Sequence, residues 1–247
     1  NGNLRDKYNN INSHYHRSNK GGGSWENLRK TPEAWKINYN DLSFNIKQMG
    51  FKHTGLFPEQ AVNWDFMMNK IKNSNREVKV LNLFAYTGGA SVACLKAGAS
   101  VVHVDSSRGM VDWAKENVKA SGMEDRPIRY MVDDVVKFVK REIRRGNKYD
   151  AIVMDPPSYG RGSNGEVWDI EKDLYGLVEL CLEILVDEPL FFIINSSILS
   201  KKDFLFSFSI KFMGAFSVES KSLSQRNLPS LENTFTQPTL SPFFTPA

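Results

Sequence analysis

The sequence predicts an α/β fold: a parallel sheet with helices on both faces, preceded by a small N-terminal β-hairpin. Three observations carry this reading. Between residues 78 and 194, five apolar runs of strand length alternate with amphipathic helical stretches, as strands covered on both faces require. Glycines at 98 and 122 close two of the helical stretches. Upstream, the chain from Trp35 to Ile46 alternates with a period of two on both sides of Asn40-Asp41, a hairpin with one apolar face.

The elements follow in order. Residues 1–34 are polar, contain Lys20-Gly21-Gly22-Gly23-Ser24, and read as a flexible basic arm. Residues 35–77 hold the hairpin and a short helix over 61–72. Residues 78–199 form the α/β unit. Its strands are Val78 to Phe84, Ser100 to Val104, Ile128 to Val132, Tyr149 to Met154 and Leu190 to Ile194. Its helices are Ala90 to Ala97, Arg108 to Ser121, Val135 to Arg145 and Glu171 to Leu185; the third places Val136, Val139, Lys140 and Ile143 on one face. Residues 200–247 form an atypical tail, which holds eight of the 16 phenylalanines and turns rich in Thr and Pro at its end.

Composition excludes several classes. Two cysteines cannot build a disulfide framework. The longest apolar run, Pro189 to Ile194, is far below the roughly 20 residues that span a bilayer. The first residues have no apolar core of the signal-peptide kind, so a cytoplasmic protein without membrane contact is expected. The net charge of +4 is unevenly placed. Residues 1–50 carry eight Lys/Arg against four Asp/Glu, and residues 51–200 carry 19 against 21. The basic segment is either a solvated end or an arm that steers toward nucleic acid.

In an open α/β sheet, ligands bind beyond the carboxyl ends of the strands. The residues there are Ala85-Tyr86-Thr87-Gly88-Gly89, Asp105, Asp133-Asp134 and Asp155-Pro156-Pro157-Ser158-Tyr159. One acid at a strand end is ordinarily a helix cap; acids at three successive ends beside a Gly-rich turn point to a site. The turn lacks the G-x-G-x-x-G of a dinucleotide site and the Gly-Lys-Ser/Thr of a phosphate loop. It suits a ligand needing close backbone approach without a pyrophosphate. Asp105, about 20 residues on, stands where an acid binds ribose hydroxyls. Asp134 can accept from an adenine amino group. An adenosine cofactor without phosphate, such as S-adenosylmethionine, fits these features. Two prolines fix the backbone after Asp155, and Tyr159 can stack on a planar group.

These segments resemble class I S-adenosylmethionine-dependent methyltransferases of the Rossmann-like fold, most closely the subgroup of bacterial large-subunit ribosomal RNA methyltransferases. The matching residues are Leu81 to Gly89, Val104-Asp105, Val132 to Val135, Val153 to Pro157 and, upstream, Thr54-Gly55-Leu56-Phe57-Pro58-Glu59-Gln60. The resemblance implies S-adenosylmethionine as cofactor and RNA as the partner. It implies that Tyr86, Thr87 and Gly88 line the methionine part, Asp105 binds the ribose, and Asp134 faces the adenine with Asp133 beside it. Asn82, Phe84 and Ser106 join the cofactor-binding set, and Phe57 and Gln60 close over it. Asp155, Pro156, Pro157 and Tyr159 are the implied catalytic group, with Asp155 near both the methionine amino group and the target.

Methyl transfer from a sulfonium is an in-line displacement, so alignment is the main demand on the protein. No zinc-type His/Cys spacing occurs, and no metal is expected; His14, His16 and His53 read as surface residues, and His103, inside a strand, as core. Enzymes of the subgroup that methylate cytosine C5 carry a cysteine after the fifth strand. Here that stretch is Ile194-Asn195-Ser196-Ser197, and Cys94 and Cys181 fall within helices. Direct transfer to a base nitrogen or an oxygen is therefore expected, with Tyr159 and Trp168 as stacking candidates. Two departures stand out: residues 1–34 are too few for the separate RNA-binding domain of the family, and beyond Ser197 the chain reads as truncated or altered. They leave open a non-catalytic RNA- or adenosine-binding protein of the same fold, or a methyltransferase acting on protein or a small molecule.

Overall fold

The computed structural model describes residues 11–19, 22–50, 52–162 and 165–196, together with strand segments at 216–220 and 244–246. The first two strands, β1 (Ser13–Arg17) and β2 (Gly23–Asn27), pair antiparallel. This corrects the flexible-arm expectation for that stretch. Gly23 and Ser24 of the Gly-rich segment belong to β2, and Tyr15 packs edge-on against Trp25 across the strand pair, with ring centroids 5.3 Å apart. The Trp25 indole also donates to the Met49 carbonyl at 2.9 Å, tying the hairpin to the body.

The predicted hairpin follows as β3 (Ala34–Tyr39) and β4 (Leu42–Lys47), with Asn40 at φ 50 in the turn. Leu42, Phe44 and Ile46 of β4 are buried, the period-two face read from sequence. A 3₁₀ turn, Pro58–Gln60, then leads into α1 (Ala61–Lys72).

The central sheet contains β5 (Lys79–Leu83), β6 (Ser100–Asp105), β7 (Ile128–Val132), β8 (Ala151–Met154), β11 (Phe191–Ser196) and β12 (Phe216–Ser220). All of its pairings are parallel, in the order β12-β11-β8-β5-β6-β7. Between these strands lie α2 (Gly89–Lys96), α3 (Arg108–Ala120), α4 (Val135–Arg144) and α5 (Ile170–Glu183). A short antiparallel flap, β9 (Tyr159–Arg161) with β10 (Val167–Asp169), precedes α5. A last segment, β13 (Phe244–Pro246), pairs antiparallel with β3. The expectation of an altered ending beyond Ser197 otherwise lies outside the described residues.

Strand alternation divides the core in two. Val80, Val101, Ala151, Val153, Phe191 and Ile193 face α1, α2 and the β4 hairpin, with Trp64, Met67 and Cys94 packed among them. Leu81, Leu83, Val102, Val104, Ile152, Met154, Phe192 and Ile194 face α4 and α5, with Phe138, Leu177 and Cys181. Each Val, Leu, Ile, Phe or Met among them is worth about 1.5–3 kcal/mol when taken from water. Helix α4 is rotated from the expected face. It buries Val135, Phe138, Val139 and Glu142, and Lys140 is exposed. A buried glutamate has no apolar signature, but Glu142 is fully partnered: it accepts from Tyr149 Oη and Asn147 Nδ2 at 2.7 Å and from Arg145 Nη1 at 3.0 Å. Burial pushes its pKa up, and those hydrogen bonds more than reverse the effect. No helix among the described residues is long and apolar enough to cross a membrane.

Asn117 of α3 joins the N-terminal hairpin to the α/β unit. Its buried carboxamide accepts from Asn45 N at 2.8 Å and donates to the Thr87 carbonyl at 2.8 Å. Asn117→Ala leaves buried backbone groups without partners, so urea denaturation is expected to show a loss of about 1–3 kcal/mol. An unchanged midpoint would contradict this role.

Candidate functional site

The sheet order reverses between β5 and β8. From β5 the chain builds outward to β6 and β7; from β8 it builds the other way to β11 and β12. The crevice beyond the carboxyl ends at such a reversal is where an open α/β sheet receives a ligand. A cleft of about 510 Å³ opens there. Of the expected residues it brings together Phe57, Gln60, Phe84, Tyr86, Asp105, Ser106, Asp155, Pro156, Pro157 and Tyr159. His53, Glu59, Ser158 and Asn195 complete the lining.

The turn after β5 is strained. Phe84 has φ 51 and Tyr86 φ 50, in the left-handed region that bulky residues avoid. Each such residue costs on the order of 1–3 kcal/mol and persists only where its surroundings impose it. Here Ala85 N donates to the Val104 carbonyl at 3.0 Å, and Tyr86 N donates to Asp105 Oδ2 at 2.8 Å. The Phe84 ring packs on Trp168 at 4.8 Å between centroids, and the Tyr86 ring on Phe57 at 5.4 Å. Burial, with a smaller contribution from Asp105, pushes the Tyr86 phenol up to about 12, so it stays neutral.

Asp105 ends β6. Its Oδ1 accepts from Ser107 N at 2.9 Å while Oδ2 accepts from Tyr86 N. A carboxylate has about four lone-pair sites, so each oxygen retains acceptor capacity toward a pair of adjacent hydroxyls. Burial lifts its pKa above the ordinary 3.8, and the N–H groups of Ser107 and Tyr86 offset only part of that rise. Asp155 follows β8 and accepts on Oδ1 from Asn195 Nδ2 at 2.9 Å. The next carbonyls are set by the Pro-Pro pair, and the Pro157 carbonyl takes the Trp168 indole N–H at 2.7 Å. Trp168 is thus a buried support, not a stacking surface, whereas Tyr159, on the flap, is 57% exposed.

Other expected residues stand behind or beside the cleft. Thr87 is buried and its hydroxyl donates to the Gly55 carbonyl; Asn82 donates to Ser91 Oγ at 2.9 Å. Both line a deeper compartment of about 60 Å³ with Trp64 and Met67. Gly88 is outside the lining of the cleft. At φ 84 it begins α2, and a Cβ there would meet Ala114 Cβ at 2.9 Å; one on Gly89 would meet the Trp64 ring at 2.9 Å. Helix packing therefore also requires the glycine pair, and Gly89 lines the deeper compartment. Asp133 ion-pairs with Arg141, and Asp134 caps α4 by accepting from Lys137 N at 2.9 Å. Asp134 also borders a side compartment of about 70 Å³ that shares Phe84, Asp105, Ser106 and Pro157 with the main cleft; Asp133 borders none of the three spaces.

Asn195 is a site residue that the sequence reading missed, because the cytosine-C5 comparison asks only for a cysteine at that strand end. A polar residue ending the strand beside β8 was the available signal. The cysteines behave as expected: Cys94 and Cys181 are buried, and burial pushes the Cys94 thiol up to about 12 and the Cys181 thiol still higher. His103 is buried and pushed down to about 3 by burial, hence neutral, with Nδ1 3.0 Å from Ser91 Oγ.

The lining has a clear electrostatic sense. Glu59, Asp105 and Asp155 contribute three carboxylates to the main cleft, and among the described residues no lysine or arginine lines it. Such a cleft favours a cationic ligand and disfavours a pyrophosphate.

A family model described as S-adenosylmethionine-dependent methyltransferase matches residues 10–221. The ribosomal RNA large subunit methyltransferase K/L of Pseudoalteromonas atlantica is 31% identical over 168 residues, which are 67% of this chain and 23% of that protein. The ribosomal RNA large subunit methyltransferase K of Neisseria meningitidis is 27% identical over 72% of this chain and 49% of its own length. The chain thus spans less than a quarter of the K/L relative and about half of the K relative. Among solved structures, an S-adenosylmethionine-dependent methyltransferase from Agrobacterium tumefaciens is 39% identical with a TM-score of 0.71, over 74% of this chain and 59% of that one. SMU.776, a candidate methyltransferase complexed with SAH, is 27% identical with a TM-score of 0.71, over 83% and 53%.

Gly88→Ala and Gly122→Ala separate backbone strain from crowding at the turn. At Gly122, with φ 66, nothing lies within 4 Å of the place an added methyl would take, so its alanine variant should lose only about 1–2 kcal/mol. Gly88→Ala adds the collision with Ala114 and should lose measurably more in thermal unfolding; equal losses would show that α3 yields freely.

Proposed function

The chain belongs to the S-adenosylmethionine-dependent methyltransferases, and from that premise we propose that it transfers a methyl group from S-adenosylmethionine to a base of ribosomal RNA. The observation that carries the cofactor assignment is the cleft at the β5/β8 reversal, whose lining has three carboxylates and, among the described residues, no lysine or arginine. Bound there, S-adenosylmethionine supplies an electrophilic methyl carbon on a sulfonium.

The residues divide the work by chemistry. Asp105 takes the two ribose hydroxyls on the lone pairs that Tyr86 N and Ser107 N leave. Asp134, Val135 and Trp168 border the side compartment, which receives the adenine. Asp155, oriented by Asn195, holds the amino group of the methionine part and stands beside the incoming target. Phe57 and Tyr86 form an aromatic wall near the sulfonium, where a cation gains from ring faces. Tyr159 on the flap offers an exposed ring for an unpaired base to stack on. Both thiols are buried and protonated, so the nucleophile is an atom with its own lone pair, a base nitrogen or an oxygen, and the protein contributes alignment. The RNA assignment is supported by the names of the relatives.

Two measurements test the reading. Charge-assisted hydrogen bonds are worth about 1.5–3 kcal/mol each, so Asp105→Asn should weaken S-adenosylhomocysteine binding by about 10- to 150-fold in calorimetry. Because Asp105 accepts hydroxyls best when ionised and its pKa is raised, wild-type affinity should fall as pH drops toward a value above 3.8. The Asp105→Asn variant should lack this fall; a parallel fall would assign the dependence to another group. Tritiated methyl transfer into ribosomal RNA should appear with wild type and vanish in Asp155→Ala, with unchanged circular dichroism. Label in protein or metabolite pools alone would replace the RNA assignment, and absence of cofactor binding would overturn the whole reading.

A further inference from the structure

The β1–β2 hairpin carries a feature that the cleft does not use. Tyr15 and Trp25 are half-buried toward the body, and His14, His16, Ser24 and Glu26 on the alternate positions are exposed. The register sets His14 opposite Glu26 and His16 opposite Ser24, so His14, His16 and Glu26 share one outward face. Their nitrogen and carboxylate ligand atoms lie within 4.8 Å of one another. The imidazoles of His14 and His16 are 4.4 Å apart between centroids, and His16 Nε2 is 2.6 Å from Glu26 Oε2.

We propose that this face binds a divalent transition-metal ion of the Zn²⁺ class through His14, His16 and Glu26, with water in the fourth position. Two imidazoles and one carboxylate are a donor set suited to zinc and its neighbours, whereas Mg²⁺ and Ca²⁺ demand mostly oxygen ligands. Bonds of about 2.0–2.2 Å in a tetrahedron place donor atoms roughly 3.4 Å apart. Exposed side chains within 4.8 Å reach that spacing by rotamer changes alone, with the backbone of both strands already fixed by their pairing. Short His/Cys spacings along the chain do not reveal such a set, which is why no metal is expected from sequence; here the third ligand comes from across the hairpin, ten residues along the chain. Ion binding would join β1 to β2 on the face opposite the Tyr15–Trp25 contact. The proposal stands independently of the methyltransferase reading.

The test is calorimetric titration of the full chain with ZnCl₂, with MgCl₂ in parallel, and amide hydrogen exchange over residues 13–27. Expected are one Zn²⁺ per chain, no Mg²⁺ binding, and slower exchange of the hairpin with Zn²⁺. His14→Ala and Glu26→Gln should each weaken Zn²⁺ by at least the 10- to 100-fold typical of losing a partner that merely supports a ligand. Unchanged S-adenosylhomocysteine affinity in both variants would show that they fold. Absence of stoichiometric Zn²⁺, equal binding of Mg²⁺, or Zn²⁺ affinity indifferent to both substitutions would overturn the proposal.

Discussion

The Asp105 carboxylate is the constraint from which the site is built. By accepting from Tyr86 N and Ser107 N it closes the end of β6 onto the turn after β5. That closure holds two bulky residues, Phe84 and Tyr86, in a backbone conformation they would otherwise leave. Their rings are then forced to opposite partners, Phe84 onto Trp168 and Tyr86 onto Phe57. Trp168 in turn holds the Pro157 carbonyl, and so the path of the segment after Asp155. One half-buried carboxylate thus sets the turn, the aromatic walls and, through them, the second acidic corner of the cleft.

Much of this was legible in the sequence because it follows from periodicity and topology. The five apolar runs alternate with helices, and a parallel sheet with covered faces admits few arrangements. Asp105 and Asp155 could be picked out because strand ends at a sheet reversal are where ligands bind. What could not be read depends on direction within a residue. Asp133 and Asp134 are neighbours at one strand end, yet one turns to Arg141 and the other caps a helix. Gly88 was legible as special, but one reason for it, Ala114 on α3, lies across the fold. The β1–β2 hairpin was hidden for a similar cause: its strands are polar on one face, short, and joined through glycines that by composition alone suggest a loop.

The distribution of charge separates two tasks. The described lysines and arginines of the N-terminal 50 residues, Arg17, Arg29, Lys30, Lys36 and Lys47, lie outside the lining of the acidic cleft. A cationic cofactor and the polyanionic substrate proposed above call for fields of opposite sign, and a fold that serves both must keep the two apart. The cleft lies at the strand ends, where acids come from the end of β6, from just after β8 and from the turn before α1, while α1, α3 and α4 carry lysines and arginines at exposed positions.

The two cysteines lie on opposite sides of the sheet, Cys94 in the layer with α1 and α2 and Cys181 in the layer with α4 and α5. Both are sealed from solvent and held as thiols. A thiol in that state reacts with an alkylating reagent only when the layer around it opens. The chain therefore contains its own pair of clocks, one for each face, and their relative rates of alkylation report whether the sheet loses its two coverings together or one before the other.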